Sequence, residues 1–245
     1  MFDDIADVYE AMIDWEKRLR NEEPFYRSLF ARIGVRRVLD VACGTGRHAA
    51  MFHSWGLQVE AADISSNMIE RARADYGEPS GLRWVVRGFD QPVPSEESFD
   101  AAICVGNSLA LAPDMATVKR AVQAMLAAVR KGGVAIFHAL NLRRLADGPC
   151  QWQKCLRATL ERAEVLIVKG VHRSGSNGYV DLIVAPLAAT TNMRSESTAF
   201  LGIEAQELER IAREAGAAKV QWFGDYERQP YDRQQSVDLI AVAEK

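Results

Sequence analysis

The chain has 245 residues, enough to bury a sizeable core, which suits one α/β domain with an elaboration or one large domain. Its net charge of −3 argues against non-specific attraction to nucleic acid or to a membrane surface. No apolar run reaches bilayer-spanning length, the acidic start Met1-Phe2-Asp3-Asp4 argues against a secretory signal, and the cysteines at 43, 104, 150 and 155 make neither a metal pattern nor a disulfide framework, so a cytoplasmic chain with no metal is expected.

Residues 3–32 read as helical, interrupted near Pro24, with apolar positions at Ile5, Val8, Tyr9 and Met12. Such a stretch covers a sheet, and a lid over a ligand is its second possible role. Strands follow near 36–42, 58–62, 82–87, 99–105 and 133–139, with helices near 47–56, 66–76 and 114–130 between them. In the last helix Asp114 is placed to cap, and Met115, Val118, Val122, Met125, Leu126 and Val129 share one face. Strands alternating with helices imply a parallel sheet.

After Asn141 the pattern changes. Residues 142–160 are mixed and read as including a short helix. Runs 162–172 and 179–187, parted by Ser174-Gly175-Ser176-Asn177-Gly178, read as a hairpin, with a further strand near 194–201. A helix over 204–215, with Leu208, Ile211 and Ala215 inward and Gly216 closing it, precedes two strands near 217–223 and 236–243. The expected organisation is a helical lid over 1–34, a Rossmann-like core over 35–141 and 203–245, and a small antiparallel insert over 142–202.

The densest information lies at Val38-Leu39-Asp40-Val41-Ala42-Cys43-Gly44-Thr45-Gly46. An apolar strand runs into a Gly-x-Gly turn and then a helix, a layout that holds a nucleotide-like ligand against backbone. Asp63, at the end of the next apolar run, is placed to accept hydrogen bonds from both hydroxyls of a ribose. Together they suggest an adenosine-containing cofactor. Gly44-x-Gly46-x-x-Ala49 also fits the looser dinucleotide fingerprint, and a tight turn before any helix explains it as well.

This stretch resembles the first motif of class I S-adenosylmethionine-dependent methyltransferases. The likeness continues in order. Asp63-Ile64-Ser65 with Met68 resembles the second motif, 98–105 the strand-four motif, and 129–133 the turn before strand five, with Lys131 where proline is usual. Phe223-Gly224-Asp225-Tyr226, Pro230-Tyr231-Asp232 and Ser236 resemble the last hairpin of one branch. Within the superfamily the likeness is to glycine and sarcosine N-methyltransferases, through Cys104-Val105-Gly106-Asn107-Ser108 and Pro113-Asp114, with Trp15-Glu16-Lys17-Arg18-Leu19 in a lid-like helical region. The resemblance implies a seven-stranded, mostly parallel sheet with an antiparallel last strand.

It also implies residue roles. Asp63 would hold the ribose. Ala42, Gly44 and Gly46 would bring backbone to the methionine half, and Ile64 and Met68 would pack the adenine, though core packing explains both equally. Phe89 and Asp90 stand where the family has Gly-Asp before a loop, shifted by one. Val105 would hold the cofactor amino group through its backbone. Arg18 would pair with the cofactor carboxylate, or remain a solvated helix arginine. Asn107 would face the acceptor, or cap its turn. Asn141 matches a branch asparagine. His138 is a candidate general base, or a structural strand-end histidine. Tyr9 and Tyr226 would close over the acceptor, or serve the core. His48 and His53 are poorly spaced to share a metal, and Arg36-Arg37 and Arg143-Arg144 are too short for a nucleic-acid patch.

Two departures bear on substrate. Leu140 replaces the arginine that clamps an amino-acid carboxylate in the branch, and Leu111 replaces a histidine. Glycine would then need Arg143, Arg144 or Arg173 to reach in, because a buried unpaired carboxylate is costly. A less acidic small molecule fits at least as well. The leading expectation is methyl transfer to a small-molecule acceptor, nitrogen rather than oxygen, with the lid closing over the cofactor. The alternatives are a NAD-dependent oxidoreductase and a non-catalytic cofactor-binding protein.

Overall fold

The computed structural model describes residues 6–94, 98–160, 163–188 and 193–245. Helix α1 (Ala6–Met12) gives way to α2 (Trp15–Ile33), and the Asp14 side chain caps α2 by accepting from the Lys17 N–H at 3.0 Å. The interruption therefore falls at Asp14 and not near Pro24, which lies inside α2. Proline forfeits one backbone bond to the Arg20 carbonyl, but the following turn is held by burial of Phe25, Tyr26, Leu29 and Phe30. Ile5 and the other residues at the expected start of this helix lie outside the described residues.

The core alternates β1 (Arg37–Asp40), α3 (Arg47–Ser54), β2 (Gln58–Asp63), α4 (Ser66–Tyr76), β3 (Leu82–Val86), β4 (Phe99–Cys104), α5 (Met115–Ala128) and β5 (Val129–Leu140). Asp114 caps α5 as expected, accepting from the Thr117 N–H at 2.7 Å. Val129, expected on that helix face, instead begins β5. The chain enters the sheet early and bulges at Gly132-Gly133, where the register with β4 shifts. A Cβ on Gly133 would sit 2.5 Å from the Asp100 carbonyl oxygen, so the bulge needs glycine there.

Beyond β5 come β6 (Gln151–Leu160), β7 (Ala163–Ser174), β8 (Asn177–Pro186), β9 (Arg194–Leu201), α6 (Ala205–Glu214), β10 (Lys219–Phe223) and β11 (Asp238–Glu244). The main sheet runs β10-β11-β5-β4-β1-β2-β3, with β11 antiparallel to both neighbours. Helices cover both faces, giving two apolar layers, one around α5 and α6 and one around α2 and α3. No helix among the described residues is long and apolar enough to cross a membrane.

The insert is a separate antiparallel sheet, β6-β7-β8-β9. Its first strand occupies much of the stretch that reads as mixed. The helical part is only a 3-10 turn at Leu142–Arg144. One face of β6 places Leu156, Ala158 and Leu160 with Val165, Ile167 and Leu182 against Val8, Ala11 and Met12 of α1. The insert thus backs α1. Helix α1 is also tied to the first glycine turn. The Glu10 carboxylate accepts from the Thr45 hydroxyl and from Arg47 Nε (3.1 Å) and Nη2 (2.5 Å).

Candidate active site

A cavity of about 460 Å³ opens at the carboxyl ends of β1, β2 and β4. It lies where connections run to opposite sides of β1, the position ligands take in open α/β sheets. Tyr9, Arg18, Ala42, Gly44, Asp63, Ile64, Met68, Phe89, Asp90 and Val105 all line it.

The turn after β1 is built around Gly44 at φ 55°, with nothing within 4 Å of where a Cβ would point. The Gly44 N–H donates to Asp63 Oδ2 at 2.8 Å and the Ser65 N–H to Asp63 Oδ1 at 3.0 Å. Two backbone donors therefore fix the carboxylate at the end of β2. Ile64, 75 % exposed, and the buried Met68 follow it. Asp90 Oδ2 accepts from Arg120, whose side chain joins the wall.

On the other side of β1, Gly106 turns at φ 75°, and a Cβ there would lie 3.5 Å from Arg18 Nη2. The Arg18 guanidinium sits over the Trp15 ring at 5.1 Å and donates from Nε to Glu22 Oε1 at 2.7 Å. Glu22 Oε2 also lies 2.7 Å from His48 Nε2. Burial works against the Glu22 charge, but the His48 hydrogen bond and the Arg18 cation more than offset it, lowering its pKa to about 2. Burial holds His48 below its ordinary value, so we assign a neutral imidazole donating from Nε2. Tyr9 is raised by burial, against the pull of Arg18. Behind the turn, Asp40 is wholly buried. Its Oδ2 has no hydrogen-bond partner and burial pushes its carboxyl up to about 8.

Several expected residues lie elsewhere. Gly46 does not line the cavity. At φ 84°, its absent Cβ would meet the Trp84 ring at 2.5 Å, so the glycine serves the packing of α3 against β3 and not ligand approach. Asn107 is buried at φ 71°, with Oδ1 accepting from the Leu140 N–H at 2.9 Å; it braces the turn after β4 against the end of β5. Asn141 is spent on the last loop. Its Nδ2 donates to the carbonyls of Arg233 (2.9 Å) and Ser236 (2.8 Å), and its Oδ1 accepts from the Arg143 N–H and the Tyr231 hydroxyl. His138 Nδ1 accepts from the Gly106 N–H at 3.0 Å, which puts the ring proton on Nε2, 3.1 Å from Asp238 Oδ1 but off a hydrogen-bonding line. It props the Gly106 turn from outside the cavity lining. Tyr226 is partly buried, packed against Phe25, Tyr26 and His138.

The structure adds to the wall Trp15, His48, Ser108 and Pro113, named in the sequence without a binding role, together with Thr117 and Arg120, and places Glu22 behind it. Glu22 had a signal, since it stands four residues after Arg18 on one helix. Arg120 had none, because its partner Asp90 belongs to another element.

The chain matches the family model described as a methyltransferase domain over residues 38–133. It is 33 % identical over 152 residues to a glycine/sarcosine N-methyltransferase of Parasynechococcus marenigrum (strain WH8102), covering 60 % of this chain and 52 % of that protein. It is 31 % identical over 161 residues to the glycine N-methyltransferase of Oryctolagus cuniculus, covering 59 % and 55 %. This chain thus spans about half the length of the curated relatives it matches. Among solved structures, the CcbJ methyltransferase of Streptomyces caelestis superposes with a TM-score of 0.79 at 21 % identity over 98 % of this chain and 96 % of that one. The amino pentose methyltransferase CalS10 of Micromonospora echinaspora, solved with S-adenosylmethionine bound, gives 0.75 at 21 % identity over 97 % of each. These superpositions establish the fold. The motifs, the fold and the sequence likenesses agree in supporting a class I S-adenosylmethionine-dependent methyltransferase similar to the glycine/sarcosine N-methyltransferases, with residues 38–133 matching a methyltransferase domain.

Proposed function

We propose that the cavity binds S-adenosylmethionine and that the chain directs methyl transfer to the nitrogen of a small-molecule amine. The observation that carries this is the pair of charged groups flanking β1 in one cavity: the Asp63 carboxylate held by Gly44 and Ser65, and the Arg18 guanidinium beside Gly106. A carboxylate suits the vicinal hydroxyls of a ribose, and a guanidinium suits the cofactor carboxylate.

Bound in this way, S-adenosylmethionine would supply an electrophilic methyl group on a sulfonium for transfer to the amine nitrogen. What the chain adds is alignment and dryness. Arg18, steadied by Glu22 and Trp15, orients one end of the cofactor. Asp63 orients the other. The Glu10 latch keeps α1 over the turn. The proton of an ammonium acceptor must leave before attack, and His48, buried and neutral at the wall with its ring fixed by Glu22, is our candidate to take it.

The acceptor we favour carries no carboxylate of its own. Arg143 is paired with Glu204 at 2.5 Å and Arg173 lies by Asp147, and neither they nor Arg144 lines the cavity. The two arginines that do line it already face Glu22 and Asp90. Leu111, Pro113 and Phe89 add apolar surface to the wall. The names of the glycine/sarcosine N-methyltransferase relatives support nitrogen as the acceptor atom. A screen following S-adenosylhomocysteine release with small amines, amino sugars, amino acids and phenols tests this. Turnover with an uncharged or cationic amine is expected. Turnover with phenols alone would overturn the nitrogen assignment, and saturable NAD binding without S-adenosylmethionine binding would overturn the cofactor.

A further inference from the structure

Three side chains on the insert converge in a way no motif spacing reveals. In the β-ladder, Gln151 pairs with Val171 and Trp152 with Gly170, which sets Cys150 beside His172; on the other side of β7, Asp181 pairs with Gly170. Alternate residues of a strand share a face, so Cys150, His172 and Asp181 emerge together around a strand position that has no side chain. Gly170 is required there, since a Cβ would lie 2.4 Å from Cys150 Sγ. The Gly148 N–H donates to the Arg173 carbonyl at 2.9 Å and steers the incoming segment onto β7.

We propose that Cys150, His172 and Asp181 form a binding site for a zinc-type divalent cation, one thiolate, one imidazole and one carboxylate, with a fourth position open to water. Cys150 Sγ, His172 Nδ1 and an Asp181 carboxylate oxygen all lie within 4.8 Å of one another. Cys150 Sγ is 3.5 Å from Asp181 Oδ2, and His172 Nδ1 is 2.6 Å from the same oxygen. With zinc bonds of about 2.0–2.3 Å, the edges of a tetrahedral site are about 3.3–3.7 Å. The sulfur–oxygen edge already has that length, and the nitrogen–oxygen edge must open by roughly 0.7 Å as the ion replaces a hydrogen bond. On binding, the Cys150 thiol proton goes to solvent, and the imidazole proton moves through solvent from Nδ1 to Nε2, freeing both donor atoms. Two neighbours hold the ligands in place. Tyr179 stacks on the His172 ring, with centroids 4.9 Å apart and planes 9° apart, and the Ser197 hydroxyl hydrogen-bonds Asp181. A bound ion would pin the segment entering β6 to β7 and β8, the part of the insert sheet nearest the Asp147 bridge.

The test is titration of the chelator-treated full chain with Co²⁺ alone. One cobalt per chain is expected, with a thiolate-to-cobalt charge-transfer band and the visible absorption of a four-coordinate ion, and Zn²⁺ should displace it. Cys150→Ser should remove the charge-transfer band, while Cys155→Ser, altering an exposed cysteine elsewhere on β6, should leave it. A measurement on the unaltered chain guards against misfolding of the variant. Zn²⁺ should slow alkylation of Cys150 about 10-fold or more, read by peptide mass spectrometry, and leave Cys155 unchanged. Absence of saturable cobalt binding, survival of the band in Cys150→Ser, or equal alkylation with and without zinc each overturns the proposal.

Discussion

The first glycine turn and the four-stranded insert both gather polar side chains around a glycine, but they draw on the chain differently. At the turn, a strand, a glycine and the carboxylate of the adjacent strand come from neighbouring segments, and backbone donors at Gly44 and Ser65 hold Asp63 directly. On the insert, Cys150, His172 and Asp181 meet only because three antiparallel strands take one register around Gly170. A site on βα turns follows local chain order, whereas a cross-strand site follows register, which a one-residue slip would destroy. That is why the two regions should respond differently to substitution.

The largest effect is expected within the first region, between its two glycines. Gly46→Ala should destabilise by about 2–4 kcal/mol in urea unfolding, because its Cβ would enter the Trp84 ring at a positive φ. Gly44→Ala should cost only about 1 kcal/mol of stability, since space is open there, and should weaken cofactor binding. Equal losses for the pair would break the assignment of one glycine to packing and the other to the ligand.

Next in size, Asp63→Ala should weaken S-adenosylhomocysteine binding by about 1.5–3 kcal/mol in calorimetry, as charge-assisted hydrogen bonds to the ribose are lost. Asp181→Ala should leave that affinity unchanged, and a comparable loss in both would contradict their separation. A smaller step follows for the lid. Glu10→Gln should speed release of bound S-adenosylhomocysteine about 10-fold in stopped-flow measurements by weakening the Thr45 and Arg47 contacts. Unchanged release would mean the latch does not gate the cavity.

Set apart from these substitutions is the pH response of the buried turn. Asp40 has a carboxyl raised to about 8 by burial, so the folded chain holds that proton more tightly than the unfolded chain does. Its contribution to stability is therefore full below the ordinary carboxylate range and is lost as pH rises through about 8. Without cofactor, Tm should fall between about pH 5 and about pH 9, and Asp40→Asn should flatten that fall. An identical slope in the variant would show that Asp40 is not the group responsible.

How much was legible follows the same division. Asp63 stood out because a carboxylate ending an apolar strand after a glycine turn has few structural reasons to be there. Gly44 and Gly46 looked equivalent, and only Trp84, brought in by β3, separates them. Asn107 and Asn141 carried the family pattern, but the structure ties the former's Oδ1 and the latter's whole amide to backbone and neighbouring loops. His138 sits at the sheet edge as its position implies, yet its acceptor nitrogen is taken by the Gly106 N–H. Arg18 was ambiguous along the chain and became a wall residue once α2 packed beside the Gly106 turn.

By itself the sequence determined the alternating core and the turn with its carboxylate, because hydrophobic period, glycine conformation and helix caps are local properties; the antiparallel last strand was implied by the family resemblance alone. Tertiary structure decided which polar atoms still face the cavity, that β6 is a strand, and that Cys150, His172 and Asp181 adjoin. Those outcomes depend on which distant group satisfies each buried donor or acceptor, and that is settled only when the elements pack and the strands take their register.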